Sequence, residues 1–287
     1  MRIGQKAIVS LLLHSPTPPC RTRLMKWLFL LKQETSLGKD CRFYDFLPYR
    51  YGPFSFEAQR DVDKLVEAGL IGGNTLQVRA NAGLTASLID QDLPASTKSA
   101  IMDILARYGA LRTTELLASV YSRYPWYASQ SVRGRRRRTQ VLSSPAIYTI
   151  GYEGRSIDRF LNDVLRSGIV RLIDVRSNPF SYKYGFSKNL LRVLAGRVGL
   201  DYAHIPELGI PSDLRQGIKA PGDRQRLFDH YQDKILSQVT GCLDRVARLL
   251  RSAPAALLCF EADPEDCHRG RLAIQLAAIT GLPIRHL

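Results

Sequence analysis

The chain has 287 residues, 45% of them hydrophobic and 23% charged, with a formal net charge of +15. At about 100–200 residues per domain this length predicts two domains, and the composition argues against a disordered chain. The apolar runs Ala7–Leu13 and Trp27–Leu31 are much shorter than the roughly 20 residues a membrane span needs. No membrane role is expected, and Pro16, Pro18 and Pro19 after the first run do not resemble a signal-peptide cleavage site.

The charge is uneven. Residues 1–145 hold 21 basic and 11 acidic residues, an excess of +10, whereas residues 146–287 hold 20 and 15, an excess of +5. A polyanion is the natural partner of such a surface, because each neutralised phosphate releases a counterion; the competing reading is a basic but solvated surface. Cys20, Cys41, Cys242, Cys259 and Cys267 are odd in number and include no C-x-x-C pair. Neither a structural zinc site nor a redox pair is indicated, so no metal and no cofactor are expected, and the usage fits a reducing cytoplasm.

In chain order, Ile3–Leu13 and Arg21–Glu34 read as helices, the second with Leu24, Trp27, Leu28 and Leu31 at helical spacing. Phe43–Phe54, aromatic-rich and broken by Pro48, Gly52 and Pro53, reads as a loop or turn. Ser55 then caps a helix running to Ala68, and Gly72-Gly73-Asn74 turns between two short extended segments. Helices followed by a Gly-rich hairpin are ordered as in a winged helix-turn-helix, which would place Arg60 and Lys64 of the Ser55-capped helix near DNA. Helices over Ser96–Tyr108 and Leu111–Tyr124 follow, then the aromatics Tyr124, Trp126 and Tyr127. The run Arg133, Arg135, Arg136, Arg137 and Arg138 cannot be packed in a core. It reads either as a phosphate-tracking segment, with the aromatics stacking on bases, or as a solvated linker.

From Ala146 the pattern becomes strand–helix–strand. Ile147–Ile150 is a strand, Ser156 caps a helix, and Val170–Val175 is a second strand; a parallel sheet follows. A helix over Phe186–Ala195, a strand with its loop over Leu200–Gly209, a long helix over Phe228–Arg251, a strand over Ala255–Phe260, a helix over Gly270–Thr280 and a short last strand complete it. The expected fold is thus a Rossmann-like α/β C-terminal domain (146–287) behind a mostly helical, winged-helix-like region (1–93) and a helical, Arg-rich extension (94–145). Ligands of such sheets bind beyond the carboxyl ends of the strands. Those ends hold Tyr152; Asp174, Arg176, Ser177 and Asn178; His204 and Glu207; and Glu261, Cys267, His268 and Arg269.

Three resemblances follow from these motifs, the last of them partial. "TIGYEGRS", "LIDVRSNPFS", "YGFSK", "HIPELG" and "LLCFEADPEDCHRGRLA" together resemble the family catalogued as domain of unknown function 488, over nearly all of Ile147–Leu287. That resemblance implies a Rossmann-like domain in a DNA-modification or defence setting and leaves the reaction open. "LMKWLFLLKQE", "YRYGPFS" and "LVEAGLI" are similar to the antitoxin-like domain named Panacea. "LIDVR" also resembles rhodaneses, but their Cys-x5-Arg loop is absent.

Asp174, Glu261, His268 and Cys267 are the expected catalytic residues. Tyr152, Arg176, Ser177, Asn178, His204, Glu207 and Arg269 are the expected substrate contacts. Cys267, beside a helix N-terminus and two arginines, is expected to have a lowered pKa; the alternative reading of Asp174 and Arg176 is a buried ion pair tying the strand end to its neighbours, and Cys259 is expected to pack. The inventory suits hydrolysis of a base–sugar bond, a carboxylate stabilising the cationic sugar and an acid protonating the departing base. The expectation is a glycosylase acting on nucleic acid, DNA first, in repair or phage defence. The alternatives are a transcription regulator with an anion-sensing domain and a metal-dependent nuclease.

Overall fold

A computed structural model describes residues 1–72, 75–133, 142–215 and 221–287. The predicted turn at Gly73-Asn74 and the arginines 135–138 lie outside the described residues. The chain divides into two compact units, Met1–Arg138 and Thr139–Leu287.

The first unit is built on α1 (Ile3–His14) and α2 (Arg21–Glu34). Every residue from Leu24 to Leu31 of α2 is buried, so this helix is apolar on nearly all sides and forms the centre of the core. The stretch expected to be a loop or turn contains two short strands around its turn, β1 (Leu47–Tyr49) and β2 (Gly52–Phe54). Pro48 stands opposite Pro53, where neither residue needs an N–H for the ladder, and Gly52 takes φ +86° to close the turn. Next comes α3 (Phe56–Glu67), with the Ser55 hydroxyl accepting from the Ala58 N–H. A minimal hairpin of β3 (Ile71–Gly72) and β4 (Gln77–Val78) follows. The helix α4 (Gly83–Gln91) was not anticipated from sequence. The remaining helices are α5 (Ala95–Tyr108), α6 (Thr113–Arg123) and the single turn α7 (Pro125–Ala128). The predicted helical extension shares the first unit's core: Ile101, Ile104, Leu116 and Val120 are buried with Trp27 and Phe29. Tyr124 and Tyr127 meet Phe29 edge to face at 5.0 and 4.7 Å, so these aromatics act as packing groups.

The second unit is a parallel α/β domain: β5 (Ile147–Gly151), α8 (Ile157–Arg166), β6 (Arg171–Asp174), α9 (Lys188–Arg197), β7 (Asp201–His204), α10 (Pro221–His230), α11 (Thr240–Ser252), β8 (Ala255–Cys259), α12 (His268–Thr280) and β9 (Ile284–His286). The five strands pair in parallel in the order β7-β6-β8-β5-β9. The parallel sheet agrees with expectation. The strand order does not follow the doubly wound 3-2-1-4-5 pattern, because β8 inserts between β5 and β6. The predicted long helix Phe228–Arg251 is broken: α10 passes into a π-helical turn (Tyr231–Ile235) and a 3-10 turn (Leu236–Gln238) before α11 begins. Ile147, Ile173, Leu257, Leu272 and Tyr231 lie in one buried core, which fixes the sheet against its helices. Placing β8 centrally brings its carboxyl end beside those of β5 and β6.

Candidate active site

Asp174 ends β6 and is fully buried. Its Oδ1 accepts from the Arg176 backbone N–H (3.1 Å) and Nε (2.8 Å), and its Oδ2 accepts from Arg176 Nη2 (2.6 Å) and the Tyr202 hydroxyl (2.5 Å). Arg176 Nη1 donates to the Tyr152 hydroxyl (3.0 Å) and the Phe186 carbonyl (2.9 Å). Burial works against the Arg176 charge, yet the hydrogen bonds and negative charge of Asp174 hold its pKa above the ordinary arginine value. Both carboxylate oxygens are engaged by internal donors, so Asp174 is placed as a brace for the strand end. The catalytic role expected for it does not fit this geometry.

Tyr152 stacks on Phe186 with centroids 4.2 Å apart and planes 10° apart. His204 is half-buried at the end of β7 and reaches the Arg176 carbonyl through Nε2 at 2.8 Å. Glu207 is exposed in the turn Pro206–Leu208, outside the cleft described below. Arg269 is 1% exposed, and its guanidinium donates to the carbonyls of Glu261 and Ala262. It therefore clamps the loop after β8, and the substrate contact expected of it is corrected to that role.

That loop is tied just as closely to β5. The Tyr152 and Glu153 N–H groups donate to the Phe260 carbonyl at 3.0 and 2.9 Å, and the Ala262 N–H donates to Glu153 Oε2 at 3.0 Å. A Cβ at Gly151 would lie 1.8 Å from the Glu261 carbonyl oxygen, so only glycine allows the two chains to approach this closely.

Glu261 is half-buried, and Cys259 Sγ donates to its Oε2 at 3.3 Å. Burial alone would raise its pKa. Hydrogen bonds from the Cys267 thiol, the backbone and the Cys259 thiol, together with the nearby His268, hold the carboxyl below its usual value. Cys267 is the N-cap of α12 and is 1% exposed. Burial and the neighbouring Cys259 push its thiol well above the ordinary cysteine pKa, with His268 pulling the other way. The expectation of a lowered pKa is overturned, because Arg269 is turned away into carbonyl contacts and water is excluded. His268 is 2% exposed, with Nε2 3.2 Å from the Val175 carbonyl and Tyr231 edge-on to its ring at 5.5 Å. The π-helical turn positions that tyrosine, whose hydroxyl donates to the Leu208 carbonyl at 2.7 Å. Cys259, expected only to pack, has its Sγ 3.7 Å from His268 Nδ1.

Above these ends lies a cleft of about 420 Å³, lined by Tyr152, Arg176, Ser177, Asn178, Phe180, Ser181, Tyr182, Lys183, Ser212, Arg215, Cys259 and Phe260. Four of the expected contacts (Tyr152, Arg176, Ser177 and Asn178) line it. Sequence reasoning missed Phe180, Tyr182 and Lys183, and also Ser181, Ser212, Arg215 and Phe260. The signal for the first three was the dense aromatic and polar run from Asn178 to Phe186 that follows a buried strand. Phe180, Tyr182 and Phe260 are 60%, 97% and 43% exposed, an unusual concentration of bare ring surface. No Asp or Glu is among the lining residues described.

In the first unit, Lys64 is exposed on α3, whereas Arg60 lies against buried Asp61 (3.5 Å), which also binds Arg2 and the Tyr44 hydroxyl. Arg133 is exposed and stacks over Tyr51 at 5.4 Å.

Fold and site together define a parallel α/β domain with an aromatic, cationic cleft at the carboxyl edge of its sheet. Residues 156–276 match the family model described as "Domain of unknown function DUF488", so the resemblance read from the motifs holds for the C-terminal half. No curated protein and no solved structure matches the chain. Among the described residues, no helix is long and apolar enough to cross a membrane.

Proposed function

We propose that the protein acts on nucleic acid, holding one nucleotide in the carboxyl-edge cleft and hydrolysing its base–sugar bond. The observation carrying this reading is the cleft's composition: exposed Phe180, Tyr182 and Phe260 beside Lys183 and Arg215, with no carboxylate in the described lining. Rings stack on a base and cations meet phosphate. Glu261, whose pKa is held low and whose Oε2 accepts from the thiol of the cleft residue Cys259, is the one expected catalytic carboxylate left with partial solvent access. In this reading it stabilises the cationic sugar as the base departs. Extracting a base from a duplex requires further grip on the backbone. The basic first unit supplies it, read as a winged helix with α3 at a groove, the β3–β4 hairpin beside it, and Lys64, Arg133 and the arginine run on phosphates. Hard-metal strand cleavage is disfavoured by the engagement of Asp174 with Arg176 and Tyr202.

The test is to incubate the full chain with duplex and single-stranded DNA carrying plain or modified bases, then to heat in alkali. Alkali-labile abasic sites that vanish in Glu261→Gln are the expected result. Tight, salt-dependent binding with no product on any substrate would favour the regulator reading instead.

A further inference from the structure

Cys259 ends a buried strand and Cys267 and His268 begin the helix after the next loop, so the spacing C-x7-C-H does not match a familiar metal motif in sequence. In the fold, one ligand atom from each lies within 4.8 Å of the other two, and all three residues are buried. We infer that Cys259 Sγ, Cys267 Sγ and His268 Nδ1 bind a borderline-soft divalent cation of the zinc type. This goes beyond the proposed hydrolysis and stands on the three donor atoms alone.

Three features favour a ligand set over a packing cluster. The first is the imidazole. Its Nε2 contacts the Val175 carbonyl at 3.2 Å, and a carbonyl only accepts, so Nε2 carries the proton. The Nδ1 lone pair is then left toward Cys259 Sγ at 3.7 Å and Cys267 Sγ at 4.0 Å. A backbone carbonyl fixing the far nitrogen is how proteins orient metal-binding histidines. The second is size. Ligand bonds of about 2.3 Å for sulfur and 2.0 Å for nitrogen place tetrahedral donors between about 3 and 4 Å apart, and the nitrogen–sulfur distances of 3.7 and 4.0 Å already fall at this spacing. The third is charge. Two thiolates neutralise a divalent ion, so the loaded cluster suits a buried position, and the metal takes the place of two thiol protons.

Three protein ligands leave a fourth position open, the arrangement of a catalytic rather than a purely structural zinc site. Cys259 lines the cleft, and the Glu261 carboxylate lies 3.3 Å from its sulfur.

The experiment titrates cobalt(II), then zinc(II), into chelator-treated full-length protein under reducing conditions. Expected is one equivalent per chain, with a thiolate-to-cobalt charge-transfer band and the visible bands of a tetrahedral ion. Cys259→Ser, Cys267→Ser and His268→Gln should each lose the band, while Cys242→Ser, in α11, keeps it. X-ray absorption on the zinc-loaded wild type covers the case in which these variants do not fold: two sulfur scatterers at about 2.3 Å and one nitrogen at about 2.0 Å are expected. No stoichiometric uptake, or a shell of nitrogen and oxygen only, overturns the inference. Because uptake is read without turnover, it separates from a failed glycosylase assay, and Glu261→Gln should still bind the ion.

Discussion

Replacing Asp174 by Asn keeps the shape of the side chain and removes one charge from a site with no solvent contact. The Arg176 guanidinium would stay where it is, 5% exposed, and lose its counter-charge at 2.6–2.8 Å. Breaking one side of a buried ion pair costs about 3–5 kcal/mol, most of it from the charge left behind. The donors now facing Oδ1 and Oδ2 are the Arg176 backbone N–H, two N–H groups of the one Arg176 guanidinium and the Tyr202 hydroxyl, and a carboxamide cannot accept from all of them with its NH2 end. The upper half of that range is therefore expected. The two tryptophans, Trp27 and Trp126, both lie in the first unit. In urea, tryptophan fluorescence follows that unit, while far-UV circular dichroism follows both. Asp174→Asn should move only the fluorescence-silent transition to lower urea, and Asp174→Asn with Arg176→Met should recover part of the loss. A change below about 1 kcal/mol would refute the brace, and with activity abolished it would return Asp174 to the reacting groups.

Lys26 is buried in α2 with its Nζ donating to the Pro53 carbonyl at 2.8 Å, and burial brings its pKa down to about 7, with Cys20 opposing weakly. The unfolded chain keeps this proton up to about pH 10.4. Between those values only the unfolded state is protonated, so the first unit should gain stability as pH rises from 7 toward 10, by up to about 5 kcal/mol. Lys26→Met should flatten that slope in fluorescence-detected urea melts, and an equal slope in both proteins would count against it. Gly151→Ala must displace the Glu261 carbonyl. A cost of about 1–3 kcal/mol is expected, read as a lower urea midpoint by circular dichroism; an unchanged midpoint would contradict the close approach. Lys183→Ala and Arg215→Ala, both at the cleft, should weaken oligonucleotide binding and each lower the salt slope by about 1. Binding isotherms at several salt concentrations read this directly, and unchanged slopes would remove phosphate from the cleft.

Much of the second unit is legible because local and global signals agree there. Buried runs such as Ile147–Ile150 and Ala255–Cys259 lead into Gly or charged residues, and a parallel sheet puts those ends on one edge. Tyr152, Arg176 and Glu261 were therefore located correctly at strand ends without knowledge of the pairing. Strand order was not legible. Whether β8 pairs beside β9 or enters between β5 and β6 depends on contacts about 80 to 110 residues apart, which local periodicity does not report. The Cys259–Cys267–His268 cluster follows from that order together with the start of α12, so spacing alone did not reveal it. Arg269 was misread for a related reason: an arginine after a catalytic-looking histidine resembles an anion ligand until nearby carbonyls claim its donors. In the first unit, Pro48 and Pro53 signalled a loop, although the positions where they face each other tolerate a missing N–H.

The central claim is that the cleft receives a nucleotide and presents it to Glu261. Diffraction from the full-length protein crystallised with a short oligonucleotide tests this most directly. One base should lie against Phe180, Tyr182 or Phe260, with its phosphate at Lys183 or Arg215 and its sugar facing the Glu261 carboxylate. An oligonucleotide held by the first unit alone, with the carboxyl-edge cleft holding no part of it, would rule out a nucleotide as the cleft's ligand.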